Sequence, residues 1–278
     1  MMNYELGITN HDGKRGFGLR LSYSFLAFLL LLMAAGCAGE RVVNKKRADA
    51  LEQLGMAYVA EGNSRKGLAK LLEAVEIDPD NPDLNHEIAL VLRNLGEYKL
   101  SLRYFKRALA LKPRYPDAMN NLGTLYLLMG EEDSALSCFK EAASDILYST
   151  PQFAYNNMGY AYFKKGEYDR AIENYRLALK ASPSYPLCLY NLGQAYEAKG
   201  DLKGAVAAYR RSVSYSPRDA GAHLQLARVL LKLGRNKEAK EELGLTIWAD
   251  PSGPQAKEAR EMLKAFPSAA VSEKTGEK

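Results

Sequence analysis

The stretch "NNMGYAYFKKGEYDRAIENYRLALKASPSYP", residues 156–186, holds two amphipathic segments separated by a glycine and closed by a proline. Gly166 stands where a first helix can end in the left-handed backbone conformation that glycine adopts without strain. Pro183 has no backbone N–H and cannot continue a second helix. The stretch therefore predicts a pair of helices, A and B, joined by a tight turn.

The same pattern recurs along the chain with a period of 34 residues, in six windows that start at residues 48, 82, 116, 152, 186 and 220. Positions 8, 20 and 27 of each window hold small residues, and positions 11 and 24 hold an aromatic residue or leucine. The fifteenth position is glycine in all six: Gly62, Gly96, Gly130, Gly166, Gly200 and Gly234. Because a single helix pair cannot bury both of its apolar sides, we expect successive pairs to stack.

This pattern resembles the tetratricopeptide repeat (TPR) across residues 48–253. The resemblance implies an all-α, right-handed α-solenoid of six helix pairs, at residues 48–81, 82–115, 116–149, 152–185, 186–219 and 220–253. Residues 254–266 begin like another helix A but lack its later motif, and one side is charged. They predict a C-terminal capping helix, and residues 267–278 predict a disordered tail.

The N-terminus has the pattern of a targeting segment. Basic residues precede the uncharged run "LSYSFLAFLLLLMAAGCAG", residues 21–39, as in a signal peptide. The end of this run resembles the lipobox of bacterial lipoproteins, which implies cleavage after residue 36 and diacylation of Cys37. Ala38 then favours an outer-membrane location facing the periplasm, and residues 37–47 would form a lipid-anchored tether. An uncleaved transmembrane anchor is the alternative, because 19 residues could span a bilayer.

The sequence offers little for catalysis, cofactors or metals. Helix pairs account for nearly all of the mature chain, and His86 and His223 lie four repeats apart. Cys138 and Cys188 fall in different repeats, so we expect both in the core rather than in a disulfide. The net charge of +5 is dispersed, without the clustered basic residues that nucleic-acid binding requires. We therefore expect a non-enzymatic protein that binds other proteins and needs no cofactor.

In TPR solenoids a partner peptide occupies the concave groove lined by helix A, chiefly at positions 2, 5, 6, 9, 12 and 13. Repeats 3 to 5 place amides and aromatic rings there, which suit an extended peptide because amides bond its backbone in both directions. These candidate partner-binding residues are Asn120, Asn121, Thr124, Phe153, Asn156, Asn157, Tyr160, Phe163, Tyr190, Asn191 and Gln194. The alternative is that the asparagines at position 6 belong to the repeat framework.

Two additional residues interrupt the period at the end of repeat 3, in "EAASDILYSTPQF", residues 141–153. This exit places Ile146, Leu147 and Tyr148 in a row, and we expect them to contact a partner unless repeat 4 covers them. Together with the lipobox, the exit resembles the type IV pilus biogenesis/stability lipoproteins, which implies a pilotin that assists an outer-membrane secretin. The alternatives are a general periplasm-facing scaffold for outer-membrane or cell-wall assembly and a regulator of polysaccharide export.

Overall fold

A computed structural model describes the backbone of residues 23–266 and the side chains of residues 42–266. Most of the signal peptide (1–22) and the expected disordered tail (267–278) lie outside these residues. The helices are α1 (Tyr23–Ala60), α2 (Ser64–Ile77), α3 (Pro82–Asn94), α4 (Tyr98–Leu111), α5 (Pro116–Met129), α6 (Glu132–Ser144), α7 (Pro151–Lys164), α8 (Tyr168–Ala181), α9 (Pro186–Lys199), α10 (Leu202–Tyr215), α11 (Ala220–Lys232), α12 (Asn236–Ala249) and α13 (Pro254–Lys264). The predicted all-α architecture of six helix pairs and a C-terminal helix is confirmed.

The helices stack in chain order. Each packs against the next, and the odd-numbered helices from α3 to α13 also contact their odd-numbered neighbours in the pairs α3 and α5, α5 and α7, α7 and α9, and α11 and α13. Helix A therefore lies beside helix A of the next repeat from repeat 2 to repeat 5, and α11 of repeat 6 lies beside α13. We call the side of the solenoid formed by positions 2, 5, 6, 9, 12 and 13 of these helices the helix A face.

The glycine at position 15 ends helix A in every repeat. All six of these glycines have φ between 71 and 86°, the left-handed region, and a Cβ there would meet no other atom within 4 Å. Backbone conformation and not space therefore requires glycine at these turns.

A second glycine sets the distance between the two helices of a pair. An ideal Cβ built at Gly159 would lie 2.6 Å from the Tyr175 ring, and one at Gly193 would lie 2.5 Å from the Tyr209 ring. Position 24 therefore places its ring directly on position 8 of the same repeat. Tyr175 and Tyr209 are among the largest fully buried side chains, so this contact forms the centre of each pair.

The N-terminal helix differs from expectation. Residues 37–47, predicted as a tether, are helical and continue without interruption into helix A of the first repeat. No residue between Val42 and Ala60 is a proline, and the first glycine after residue 42, Gly55, is buried against Leu71. Repeat 1 is thus joined to the segment that precedes it by one continuous helix.

The interruption at the end of repeat 3 is a tight turn. The Tyr148 N–H donates to the Asp145 carbonyl at 3.0 Å, and the Leu147 N–H donates to the Asp145 side chain at 2.9 Å. Helix α7 then begins at Pro151, and Thr150 before it makes no side-chain hydrogen bond to the helix. The two additional residues therefore form an ordered corner between α6 and α7.

Candidate functional site

Hydrogen-bonded side chains cross the repeats on the helix A face. Asn157 Nδ2 donates to Asn120 Oδ1 at 3.0 Å, and Asn191 Nδ2 donates to Asn156 Oδ1 at 3.1 Å. Each of these hydrogen bonds joins position 5 of one repeat to position 6 of the next. We call the two residues at these positions of adjacent repeats a 5–6 pair, whether or not they are hydrogen-bonded. The amides predicted to hold a peptide therefore hold neighbouring repeats together.

The same register continues toward the N-terminus with different chemistry. Asn121 Nδ2 lies 3.2 Å from His86 Nε2, and His86 Nδ1 lies 3.0 Å from the Tyr115 hydroxyl. Burial lowers the pKa of His86, so the ring is neutral and accepts from Asn121 while donating to Tyr115. Arg93 donates to the Asn121 oxygen at 3.2 Å and completes the bonds of that amide.

The first 5–6 pair consists of two carboxylates, Glu52 and Glu87. Burial, followed by the charges of Glu52 and Asp83, raises the pKa of Glu87 to about 7. Its Oε2 atom is buried and has no hydrogen-bond partner among the described side chains. This junction between repeats 1 and 2 therefore holds a carboxyl group that is partly protonated at neutral pH.

Partner-accessible surface on the helix A face is aromatic and aliphatic rather than amide. Asn120, Asn156 and Asn191 are 9%, 4% and 9% exposed, whereas Phe153 and Tyr160 are each 42% exposed. The other predicted groove residues are half-buried: Asn121, Thr124, Asn157, Phe163, Tyr190 and Gln194. The contacts explain this division, because the buried amides take part in 5–6 pairs and the two rings do not.

Two exposed residues of this face were not predicted. Leu187, at position 2 of repeat 5, and Leu128, at position 13 of repeat 3, are 54% and 51% exposed. Positions 2 and 13 are groove positions of the repeat, so both leucines could have been predicted from their places in the 34-residue period. Leu187 occupies in repeat 5 the position that Phe153 occupies in repeat 4.

The exit of repeat 3 divides into an exposed and a buried part. Ile146 and Leu147 are 96% and 79% exposed and line an open cleft of about 460 Å³, together with the segment Pro113–Pro116. Tyr148 is only 6% exposed and packs against Met119, Ala142 and Ala154, so it offers a partner almost no surface, and the alternative of coverage within the solenoid describes it better. Repeat 4 therefore covers the tyrosine but neither aliphatic residue.

The described cysteines lie in the core, as predicted. Cys138 and Cys188 are buried and unbonded to one another, and burial raises their pKa values to about 11 and about 12. Both are therefore protonated and unreactive at neutral pH. Cys37 lies outside the residues whose side chains are described, and its acylation stays a prediction. Nowhere along the described helices is a segment long and apolar enough to cross a membrane.

Among proteins of similar sequence is the type IV pilus assembly protein PilF of Pseudomonas aeruginosa, 30% identical over 131 residues. The match covers 44% of this chain and 52% of PilF. The photosystem I assembly protein Ycf3 of Cyanophora paradoxa is 32% identical over 90 residues, which are 31% of this chain and 52% of Ycf3. The chain thus spans about half the length of each of these relatives.

Two solved structures share the fold over most of this chain. The structure of P. aeruginosa PilF has a TM-score of 0.67 at 21% identity and covers 79% of this chain and 99% of its own. That of PilW, described as a widely conserved type IV pilus biogenesis factor, has a TM-score of 0.70 at 23% identity and covers 77% and 98%. At these identities the likeness concerns the fold.

Family models assign the repeats directly. Models described as tetratricopeptide repeat match residues 48–81, 80–144 and 198–263, and one described as TPR repeat matches residues 159–200. Together they span residues 48–144 and 159–263, most of the chain, and include every described helix pair at least in part. The chain therefore belongs to the tetratricopeptide repeat family.

Proposed function

We propose that this protein is a non-enzymatic, lipid-anchored scaffold of the bacterial envelope that assists assembly or stability of a type IV pilus and its outer-membrane secretin. The similarity to PilF carries the proposal, because it is a similarity of sequence and not only of fold. The solenoid supports the scaffold role further, because its described residues form stacked helix pairs, an architecture that presents an extended surface to other proteins. In this role Cys37 carries the lipid, and the solenoid faces the periplasm.

The partner site, in this proposal, is the exposed part of the helix A face in repeats 4 and 5. Phe153 and Leu187 are exposed at position 2 of adjacent repeats, and Tyr160 is exposed about two helical turns beyond Phe153 on the same helix, α7. Phe153 packs edge-on against Tyr185 with 5.7 Å between ring centroids, which fixes the ring in place before a partner binds. Fixed apolar rings bind an extended segment with little loss of conformational entropy.

Ile146 and Leu147 form a second part of the partner surface. They occupy the corner of a turn that Asp145 holds with two hydrogen bonds, and Tyr148 anchors the turn from below. Turn corners usually carry polar residues or glycine, so two exposed aliphatic side chains at this place are unfavourable in water. A partner that covers them would remove that cost.

The test uses a strain that lacks the gene and carries either the wild-type gene or variants of it. We expect Phe153→Ser combined with Leu187→Ser, and separately Ile146→Ser combined with Leu147→Ser, to reduce surface pili and the assembled secretin. Leu100→Ser is the matched control, since Leu100 is 43% exposed on α4, outside the helix A face. Thermal unfolding should show a single cooperative transition in all three variants, so that a loss of pili is not due to a loss of fold.

Cys37→Ser tests the anchor separately and should leave the protein uncleaved or release it from the membrane fraction. If the gene's loss leaves pili and secretin unchanged, the pilus role is wrong. Capture of a different envelope assembly complex by the wild-type protein, weakened by the same double variants, would then support the general scaffold instead.

A further inference from the structure

The two ends of the solenoid differ in whether an additional helix covers the terminal repeat. At the C-terminal end α13 packs on α11 and α12, burying Ala256 and Ala259 while Lys257, Arg260 and Lys264 face the solvent. At the N-terminal end α1 packs chiefly against α2, and among the described residues no further helix lies on its outer side. The terminal repeats of a solenoid need a polar outer face to remain soluble, and α13 supplies one.

The outer side of α1 is apolar instead. Val42, Val43 and Leu54 are 56%, 65% and 42% exposed, and Ala50 and Ala57 are exposed between and beyond them. The spacing of residues 43, 50, 54 and 57 places them along one side of a helix. Ala48 and Gly55, which are buried in the solenoid, lie on the opposite side. An apolar stripe in this place indicates that something covers it.

The charges beside the stripe indicate what covers it. Lys45, Lys46 and Arg47 are exposed, and none forms an ion pair with a side chain that the structure describes. The acidic residues nearest in sequence among the described side chains, Asp49 and Glu52, are both half-buried and lie on other sides of the helix than the stripe, with Glu52 facing Asp83 of α3. Lys46 and Arg47, three and four residues after Val43, lie on the same side of the helix as the stripe. Apolar residues interspersed with exposed cations are the composition of helices that lie in a membrane interface and bind anionic lipid.

We propose that the outer face of α1, from Val42 to Leu54, lies on a bilayer that carries anionic headgroups. The helix runs without a break from the segment that holds Cys37 into repeat 1, so a lipid on that cysteine would bring this face to the membrane surface. The contact extends over roughly 18 Å at 1.5 Å per residue. The inference rests on the proposed lipid anchor but adds that the bilayer itself is the missing N-terminal cap.

The experiment reconstitutes the full-length protein with vesicles of phosphatidylcholine alone or of phosphatidylcholine with 30% phosphatidylglycerol. An environment-sensitive thiol dye is attached to Leu54→Cys and, as the matched control, to Leu100→Cys, because these leucines are 42% and 43% exposed. The parent chain, labelled in parallel, reports any dye taken up by Cys37, Cys138 or Cys188. Flotation of the vesicles is measured in the same samples.

We expect the emission of the dye at residue 54 to shift to the blue in the anionic vesicles and much less in the neutral ones, with no shift at residue 100. Replacing Lys45, Lys46 and Arg47 with glutamine should lower the equilibrium constant for contact between α1 and the anionic bilayer roughly a hundredfold, about fivefold for each cation. Sodium chloride at 0.5 M should act in the same direction.

Protein that floats with both kinds of vesicle while residue 54 behaves like residue 100 would overturn this inference and leave the anchor intact. Flotation with the anionic vesicles alone, accompanied by the shift at residue 54, would support the surface and contradict the anchor. A shift that is equal in both lipids and grows with protein density would mean that a second copy of the chain covers α1, which also overturns the inference.

Discussion

Replacing Glu87 with glutamine is expected to stabilise the protein at neutral and alkaline pH. Four of the five 5–6 pairs, of which the last is Tyr190 and Gln225, hold groups able to hydrogen-bond across the repeats, but the first opposes Glu52 to Glu87. The unpartnered Oε2 of Glu87 is buried, so ionisation places a second negative charge at a site that offers it no donor. A glutamine has nearly the same shape and can donate to Glu52, as Asn157 donates to Asn120.

The magnitude follows from the pKa. A carboxyl group whose pKa is about 7 in the folded chain and 4.5 otherwise binds protons more tightly when folded. Stability is therefore present at low pH and lost as the pH rises from about 4.5 to about 7. The full shift corresponds to at most about 3.4 kcal/mol, and solvent screening of a half-buried group reduces this to about 1–2 kcal/mol.

The assay is thermal unfolding of the full-length chain and of two variants at pH 4.5 and pH 8. Glu87→Gln should raise the unfolding midpoint at pH 8 by about 3–6 °C and change it little at pH 4.5. Glu76→Gln is the control, because it removes the same charge from an exposed position on the neighbouring helix α2. Equal effects of the two variants at pH 8, or a Glu87→Gln effect of the same size at both pH values, would refute the reasoning.

Three further predictions concern packing and a second titrating group. Tyr148→Ala should destabilise the chain by about 2–4 kcal/mol in chemical unfolding, because the tyrosine is core and not surface; unchanged stability would contradict that placement. Gly166→Ala should cost about 1–2 kcal/mol from its φ of 76° alone, whereas Gly244→Ala, at a helical glycine whose Cβ would meet nothing, should stabilise slightly. Burial would lower the pKa of His223, but its bonds to Glu242 at 2.6 Å and to the Pro217 carbonyl raise it above 6.5, with Asp219 nearby. Its contribution is therefore full at low pH and lost as the pH rises through the raised pKa, so His223→Gln should flatten that part of a stability profile measured between pH 5 and 9.

Much of the fold could be predicted because the same residue types recur at the same positions in six successive repeats. The glycines at position 15 and the prolines that begin α3, α5, α7, α9 and α13 depend only on local backbone chemistry, and a single sequence shows both. The 5–6 pairs could not be predicted in the same way. They depend on how far each repeat is rotated on the one before it, which the packing of whole helices decides. The sequence therefore predicts Asn156 as a partner-binding residue, although in the structure it bonds to Asn191 of the next repeat.

The exit of repeat 3 shows a second limit. Ile146, Leu147 and Tyr148 are consecutive and apolar, and nothing in their composition says which of them points inward. The turn at Asp145 decides this by reversing the chain so that the tyrosine reaches Ala142 and Ala154. Similarly, residues 44–47 are all polar and resemble a flexible linker in composition, yet they continue α1 because no glycine or proline interrupts them.

The 5–6 pairs also determine where this array could have grown. Repeats 3 and 4 both carry asparagine at positions 5 and 6, as Asn120–Asn121 and Asn156–Asn157. A duplicate of repeat 4 inserted after the original would meet asparagine on both sides. Every hydrogen bond between asparagine side chains would then be kept. A duplicate of repeat 2 would instead oppose His86 to a second copy of Glu87, and one of repeat 5 would oppose Tyr190 to a second Asn191. Lengthening the middle of the solenoid would thus keep the chemistry of its junctions, whereas lengthening either end would create a pair of side chains that the present solenoid does not contain.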